Sequence, residues 1–381
     1  MRRHLTPAFT TGKIKNLIPL FNDCVLTFLE VLRNYSGNGK PVNLDLVNHR
    51  FTMDVISKAA FGVDINSQIC EKNYFVEQAQ RFFQPTIFGS VKILFLNLFP
   101  NVLTKFQQHT GAQIVFAQSH KFFMDILDSL YERRFKNKAL SNTADFYEFI
   151  LRSLSADHRE AIGEQKDVSE TKSYEKIEIN AQAFLFLLAG FETTAFTLDA
   201  VFYMLALNPK AQETAREEAL KVLKENTDVS YEQVAQLHYI DQVISESLRM
   251  CTAGPRMLRL CTQSTQVGDI LIEKGTSITI PVNVINYDPE VFPDPHLFDP
   301  ERFSSAEKAK RNPLANLSFG AGPRNCIGAR FAQIEMKILI AMVLKHFKLT
   351  VRENAPRHPL KMSPGQFGKM GEKLMVYFEP V

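Results

Sequence analysis

The segment from Leu317 to Arg330 constrains the fold of this chain more than any other, because it surrounds a single cysteine, Cys326, with glycines and a proline. Glycine allows backbone angles with φ > 0 and lets the backbone come close to a flat or bulky group. An apolar helical pattern follows at once, so Cys326 is expected at the start of a helix, where backbone N–H groups and the helix dipole favour a thiolate. A thiolate held in this way is a good ligand for a soft metal ion.

A lone cysteine after two glycines is more often a buried side chain beside a turn. The full motif Phe-Gly-x-Gly-x-Arg-x-Cys-x-Gly is far more restrictive, and residues 319–328 match it at every position. It resembles the haem-binding loop of the cytochrome P450 superfamily. The resemblance implies haem (iron protoporphyrin IX) as the cofactor, with Cys326 as the axial thiolate ligand of the iron. It also implies that Arg324 binds a haem propionate and that Phe319 and Gly320 pack near the sulfur.

The composition is that of an ordinary globular chain and excludes several classes of protein. Of the 381 residues, 45% are hydrophobic and 22% are charged, which is enough for a large core. The net charge of +3 indicates no nucleic-acid partner. The five cysteines form no close pair and no CxxC motif, which argues against a disulfide framework or a zinc site and favours a cytosol-facing environment. No apolar run reaches the roughly 20 residues of a membrane span, so no transmembrane helix is predicted.

The stretch from Ile177 to about Leu207 predicts a long helix with polar groups in a buried turn. Its middle is apolar on all faces, which predicts burial. The turn from Gly190 to Thr194 then brings together a glycine, a carboxylate and two hydroxyls, each of which is costly inside a buried helix. Such costs gathered at one turn indicate function. The alternative is a helix N-terminus capped by Glu and Thr, although the helical pattern continues on both sides.

Residues 189–194 match the Ala-Gly-x-Glu-Thr-Thr turn that lies over the haem in the cytochrome P450 superfamily. The resemblance implies that Glu192 and Thr193 relay protons to dioxygen, and that the small Ala189 and Gly190 leave room for O₂ and substrate. The candidates that line the substrate pocket are apolar and indicate a lipophilic substrate without naming it. They are Phe83, Leu185, Leu188, Ala189, Gly190, Ala253, Gly254, Met257 and Phe367.

A predicted helix over residues 239–249 places Glu246 and Arg249 on one face, a spacing that alone indicates only a weak surface ion pair. The resemblance implies instead a buried Glu-x-x-Arg pair behind the haem that holds a second arginine, Arg302 of the Pro-Glu-Arg-Phe run. It further implies that Arg259 binds a propionate, with Arg256 as the alternative, since the planar fork of arginine meets a carboxylate at two points. Thr252 stands where many relatives have proline, which leaves the local turn open.

Aligned on Pro7 and Phe9, a third propionate-binding arginine of the family falls at Arg2, with a frayed, solvated terminus as the alternative. The chain would then begin inside a helix of the family. The resemblance therefore implies a cytochrome P450 fold, mainly α with small β-sheets, without its N-terminal anchor and part of its β-rich lobe. No linker separates independent cores, so residues 1–381 are predicted to form a single catalytic domain, incomplete at the N-terminus.

Residues 74–125 are rich in aromatic side chains, which indicates either core or an exposed apolar patch. In the family this region roofs the pocket and touches the bilayer, so peripheral membrane contact is predicted near residues 82–103. Four basic residues are candidates for steering an acidic partner, although a solvated charged loop explains them equally well. They are Lys308, Lys310, Arg311 and Arg330.

Together these features predict a haem-thiolate monooxygenase that inserts one oxygen atom from O₂ into a lipophilic organic substrate, with electrons from an NADPH-cytochrome reductase. For the full-length form, the resemblance implies the endoplasmic reticulum membrane, on its cytosolic face. Two alternatives stay open: a haem-binding fragment without turnover, and an isomerase that rearranges a peroxide without O₂. The intact Glu192 and Thr193 favour the oxygenase over the isomerase.

Overall fold

The computed structural model describes residues 2–70, 72–83, 109, 116–136, 145–154, 175–363 and 368–381. Helices dominate these residues, and the strands are short and antiparallel, as the sequence predicted. The helices are α1 (Arg2–Leu5), α2 (Thr11–Lys15), α3 (Ile18–Gly37), α4 (Leu44–Phe61), α5 (Tyr74–Phe83), α6 (Ala117–Lys136), α7 (Phe146–Leu154), α8 (Lys176–Leu207), α9 (Pro209–Leu223), α10 (Tyr231–Val234), α11 (His238–Met250), α12 (Val282–Asn286), α13 (Ser305–Ala309) and α14 (Ala329–His346). The strands are β1 (Val42–Asn43), β2 (Met257–Leu260), β3 (Thr265–Val267), β4 (Ile270–Ile272), β5 (Ser277–Ile280), β6 (Phe347–Thr350) and β7 (Met375–Pro380).

The chain forms two compact units, residues 1–13 with 49–192 and residues 14–48 with 193–381. The first unit contains an ion-pair cluster that joins α6 to α7. The guanidinium of Arg134 lies 2.6 Å from a carboxylate oxygen of Asp145 and 3.4 Å from one of Glu148, and all three side chains are buried. The same guanidinium donates to the carbonyl of Phe61 at the end of α4. This cluster fixes the C-terminal end of α4, the helix that also contacts the glycine turn of α8.

The end of α4 needs a glycine because the chain turns sharply there. Gly62 has a φ of +63°, in the left-handed region that glycine tolerates best. A Cβ at this position would lie 2.9 Å from a carboxylate oxygen of Asp145. Gly62 therefore caps the C-terminal end of this helix, and the cluster around Asp145 adds a steric reason for a glycine there.

The second unit is built on α14, the helix that follows the cysteine loop. It packs against α3, α9 and α11, and most of its middle is inaccessible to solvent. Phe331 in its first turn meets Phe21 of α3 edge-on, with ring centroids 5.1 Å apart. The loop before α14 is thus attached to a helix whose middle is buried in this unit.

The sheets of the second unit are small and antiparallel. β2 pairs with β5, β3 pairs with β4, and a three-stranded sheet has the order β1-β7-β6. The sequence pattern from Leu360 to Phe378 predicts a C-terminal hairpin. An antiparallel bridge joins Met362 to Met370, flanked by backbone hydrogen bonds from the Ser363 N–H to the Lys369 carbonyl and from the Gly371 N–H to the Lys361 carbonyl. The described residues thus form the hairpin near its tip, whereas β7, at the end of the segment, pairs with β1 and β6.

α8 is the one helix of the described residues that is long and apolar enough to cross a membrane by length and composition. Within its most apolar window, 61% of the residues are buried in the protein. A core helix passes the same test, and the burial agrees with the buried helix that the sequence predicted here.

Candidate functional site

The cysteine loop presents Cys326 on an exposed turn before α14. The Cys326 N–H donates to the carbonyl of Phe319 over 2.8 Å, which closes the loop between the two motif residues. Gly320 and Gly322 have φ angles of +70° and +73°, so the glycines of the motif are required by the backbone conformation. All five cysteines lie in the described part of the chain, and all are thiols rather than disulfides. Cys326 and Cys70 are the exposed ones.

The face of β2 that carries Met257 and Arg259 lies beside this loop. A Cβ on Gly320 would be 3.4 Å from the sulfur of Met257. Arg259 shares the half-buried face of β2 with Met257, whereas Leu258 and Leu260 point to the opposite, exposed face. Arg256 precedes the strand and is exposed. The strand alternation thus puts Arg259, rather than Arg256, on the loop-facing side.

Arg324 lies on the 3-10 turn Gly322–Arg324 of the cysteine loop and is exposed. Phe319 and Gly320 are half-buried, as are the predicted pocket residues Ala253 and Gly254. In the second unit, Met257 of β2 therefore lies next to the part of the cysteine loop that contains Phe319 and Gly320.

Glu246, Arg249 and Arg302 form a cluster in the second unit, in which Glu246 and Arg249 are buried and Arg302 is half-buried. Arg249 donates to Glu246 through two nitrogens, over 2.7 and 2.8 Å, and neither side chain reaches solvent to any extent. Arg302 approaches the same carboxylate at 3.6 Å. Glu246 also accepts the backbone N–H of Asp299 at 3.0 Å. The carboxylate is thus shared between two guanidiniums, which compensates for its burial.

Thr252 resolves the turn that the sequence left open. Its buried hydroxyl donates to the Leu248 carbonyl at 3.1 Å and accepts from the side-chain amide of Asn286 at 2.8 Å. Next to it, the carbonyl of Ala253 accepts the N–H of Gly368 at 2.8 Å. A Cβ on Gly368 would lie 2.6 Å from the Thr252 carbonyl oxygen. The C-terminal segment is therefore held against Thr252 and Ala253, while the pocket candidate Phe367 lies outside the described residues.

One stripe of α8 faces solvent at the predicted functional turn. Leu185 is 56% exposed, Ala189 is exposed, and Thr193 is partly exposed. These three positions are spaced by four residues, so they lie on one face of the helix. Leu188 is half-buried beside them. Thr193 therefore lies on the open face of the helix, together with the small Ala189.

Glu192 points away from this stripe, towards α4. Its side chain is 4% exposed, and a carboxylate oxygen lies 2.9 Å from Nε2 of His49, which is 2% exposed. The edge of the His49 ring also meets Phe191, with centroids 4.9 Å apart. His49 could not be predicted from the sequence, because a single histidine inside a packing helix gives no local signal. The only sequence hint was that a buried Glu192 needs a partner.

Gly190 is explained by helix packing. A Cβ on Gly190 would lie 2.7 Å from the terminal methyl of Ile56 on α4. The glycine was expected to leave room for O₂ and substrate. The space left by the missing Cβ is instead occupied by the Ile56 side chain of α4. Ala189, one residue earlier, keeps the exposed position.

Arg2 lies half-buried in α1 and Phe83 half-buried at the end of α5, both in the first unit. Most of the predicted membrane-contact segment, from residue 84 to 103, lies outside the described residues. The predicted steering cations make contacts of their own. Lys310 pairs with Glu307, Lys308 lies 3.9 Å from Asp241, and the Arg311 guanidinium lies 4.9 Å from the ring centre of Phe292.

Comparison with known proteins identifies the family of this chain. The family model described as Cytochrome P450 matches residues 1–378. Cytochrome P450 3A18 of Rattus norvegicus is 32% identical over 363 residues, which is 95% of this chain and 70% of that protein. Cytochrome P450 3A2 of the same species is 33% identical over 362 residues, covering 95% and 69%. Lithocholate 6-beta-hydroxylase of Mesocricetus auratus is 32% identical over 358 residues, covering 94% and 69%.

A mainly helical fold with a cysteine on a glycine-rich loop before a helix is consistent with the class of haem-thiolate proteins. The chain belongs to the cytochrome P450 family, whose members are monooxygenases with haem held by a cysteine thiolate. The residues of the second unit fit this group. Cys326 is a solvent-accessible soft ligand, the missing Cβ of Gly320 keeps the loop close to β2, and Arg324 and Arg259 are cations suited to carboxylates.

Proposed function

We propose that this monooxygenase oxidises a lipophilic organic substrate, with electrons from an NADPH-cytochrome reductase. The observation that carries the proposal is the exposed Cys326 on a loop that matches the family motif at every position. The apolar character of Leu185, Ala189 and Met257 supports a lipophilic substrate. A relative bears the name Lithocholate 6-beta-hydroxylase, and lithocholate is a substrate of that lipophilic kind.

The roles of the site residues are part of the proposal. Cys326 binds the haem iron, and Arg324, Arg259 and Arg2 bind its propionates. When bound, the haem supplies the redox chemistry that activates O₂. Thr193 presents its hydroxyl on the open face of α8, and Glu192 provides the carboxylate from which protons reach that face. The cluster of Glu246, Arg249 and Arg302 supports the cysteine loop from behind and touches no substrate.

We further propose that residues 1–381 act as one catalytic domain at the cytosolic face of the endoplasmic reticulum membrane. The family match over residues 1–378 supports a single domain. Membrane contact is proposed for the segment near residues 82–103, on the basis of its aromatic and apolar sequence.

The first test is the difference spectrum of the reduced protein with carbon monoxide. Cys326→Ser should abolish the red-shifted Soret band that thiolate-ligated haem gives. Cys70→Ser is the matched control, because it removes the other exposed thiol and should leave the band unchanged. A wild-type protein without this band would contradict the proposal and favour a chain that does not hold its haem productively.

The second test measures NADPH consumption and oxygenated product with added reductase and a set of lipophilic compounds, under ¹⁸O₂. Incorporation of one labelled oxygen atom into the product is expected. Conversion of an organic peroxide without NADPH or O₂ would point to the isomerase instead.

A further inference from the structure

α4 contacts the functional turn of α8 through three residues on one of its faces. His49, Thr52 and Ile56 are spaced by three and four residues, so they form a single stripe. His49 binds the Glu192 carboxylate, the Thr52 hydroxyl donates to the carbonyl of Phe191 at 3.0 Å, and Ile56 fills the space beside Gly190. Three consecutive residues of α8 are thus each contacted by α4, just before Thr193.

These contacts divide into two kinds. Thr52 and Ile56 act on the main chain of α8, because one binds a carbonyl and the other occupies the place of a Cβ. His49 alone acts on a side chain, the carboxylate of Glu192. The backbone of the turn therefore has its own support, and the orientation of the Glu192 carboxylate depends separately on His49.

The burial of His49 and Glu192 makes the contact between them important for the position of the carboxylate. Both side chains of the pair are almost inaccessible to solvent, and a buried carboxylate without a hydrogen-bond donor is strongly disfavoured. Without the donor, the carboxylate loses the hydrogen bond that holds it against α4 and is no longer fixed in this orientation. His49 thus holds the Glu192 side chain between α4 and α8, away from the face of α8 on which Ala189 and Thr193 lie.

We propose that His49 is a positioning residue for monooxygenation, which fixes the Glu192 carboxylate against α4 and thereby sets the position from which protons reach Thr193. The inference rests on the proposed function of Glu192 and Thr193, and adds a residue outside every motif of the sequence. His49 touches neither substrate nor cofactor in this scheme, and it acts only through Glu192.

The first arm of the test is a double-mutant cycle that measures the thermal unfolding midpoint of the chain of residues 1–381. This measurement does not require catalytic turnover. His49→Leu removes the donor and should lower the unfolding midpoint by about 2 °C or more. Glu192→Gln removes the charge, so His49→Leu should lower the midpoint much less in the Glu192→Gln background. Equal losses in both backgrounds would mean that the two side chains do not interact, and would overturn the proposal.

The second arm measures how electrons from NADPH divide between product and hydrogen peroxide. His49→Leu and Glu192→Gln should each raise the share of peroxide severalfold, and the double variant should be no worse than either, because the two residues act as a unit. His49→Gln keeps a side-chain N–H donor and should restore most of the wild-type partition. Thr52→Val is the matched control: it removes a bond to the same turn and should lower stability while leaving the partition unchanged.

The outcomes separate this inference from the proposed function. A wild-type partition in His49→Leu, or equal peroxide release by Thr52→Val, would show a purely structural role for His49 and overturn the inference. A wild-type chain that consumes no NADPH would contradict the proposed function, and the unfolding cycle would still decide whether His49 holds Glu192.

Discussion

At the scale of single residues, environment decides which cysteine is available for chemistry. Cys251 is buried, and burial raises the pKa of its thiol to about 12, although nearby Arg249 acts in the opposite direction. Cys251 therefore stays a neutral thiol at physiological pH. Cys326 is exposed on its loop, where an electrophile or an iron ion can reach the sulfur.

This contrast predicts the labelling pattern of the thiols. In the haem-free chain, iodoacetamide should modify Cys326 and Cys70 much faster than the buried Cys24 and Cys251, as measured by peptide mass spectrometry. Loading with haem should protect Cys326 and leave Cys70 reactive, since only Cys326 is proposed as a ligand. Equal protection of both thiols, or of neither, would contradict the assignment.

The Glu246 cluster predicts a large loss of stability when one partner is removed. Arg249→Met leaves the carboxylate with Arg302, at 3.6 Å, and the backbone N–H of Asp299, and should lower the free energy of unfolding by about 3–5 kcal/mol. Denaturant unfolding measures the loss. Glu307→Gln breaks the exposed pair with Lys310 and should change the midpoint little, because solvent screens that pair. A small effect of Arg249→Met would show that the cluster contributes little to folding.

At the scale of elements, the packing of α4 against α8 determines the geometry of residues 190–194 of α8. The apolar pattern of α8 predicted its burial and its length, since such a pattern is local. The pattern did not predict which helix covers Gly190 and Glu192, because those contacts join residues more than a hundred positions apart. The face of α8 that stays open, at Leu185, Ala189 and Thr193, is likewise a result of which other faces are covered.

Gly190→Ala tests the packing of these two helices. The added methyl would meet the terminal methyl of Ile56 at 2.7 Å, whereas the gain in helix propensity is about 1 kcal/mol. The substitution should therefore be near neutral or mildly destabilising in the wild type. In an Ile56→Val background, which lacks that methyl, adding Gly190→Ala should be stabilising relative to the Ile56→Val variant alone. Equal effects in the two backgrounds, by denaturant unfolding, would rule out the contact as the reason for glycine.

At the scale of the whole molecule, one histidine links stability to pH. His358 stacks on Tyr287 and shares a 3.0 Å hydrogen bond with its hydroxyl, while His296 and Arg249 also face this group. Burial, followed by the charges of His296 and Arg249, lowers the pKa of His358 from 6.5 to about 4. Between these two pH values, His358 is therefore largely neutral in the folded chain and largely protonated in the unfolded chain.

The sign of the effect follows from proton linkage. Above pH 6.5 neither state binds this proton, so the contribution is constant. As the pH falls from 6.5 towards about 4, the unfolded chain binds more protons, and stability should decrease. His358→Gln should flatten the pH dependence of the unfolding midpoint in this window. An unchanged slope in the variant would assign the acid sensitivity to other groups.

The sequence by itself determined the features whose evidence is local. The motif around Cys326, the apolar run of α8 and the spacing of Glu246 and Arg249 each lie within one short segment. Hydrophobic period predicted the helices, and the resemblance of the short motifs to a known family implied the burial of the Glu246–Arg249 pair and the role of Cys326. The glycine backbone angles at 320 and 322 followed from the same short motif.

The tertiary structure alone decided the rest, because it depends on which distant segments meet. His49 binds Glu192 across 143 positions of sequence, and β7 pairs with β1 from the beginning of the chain as well as with the preceding strand, β6. Register and helix contacts come from the burial of whole faces, which no single segment encodes. The same burial turned Glu192 inward and left Thr193 on the open face.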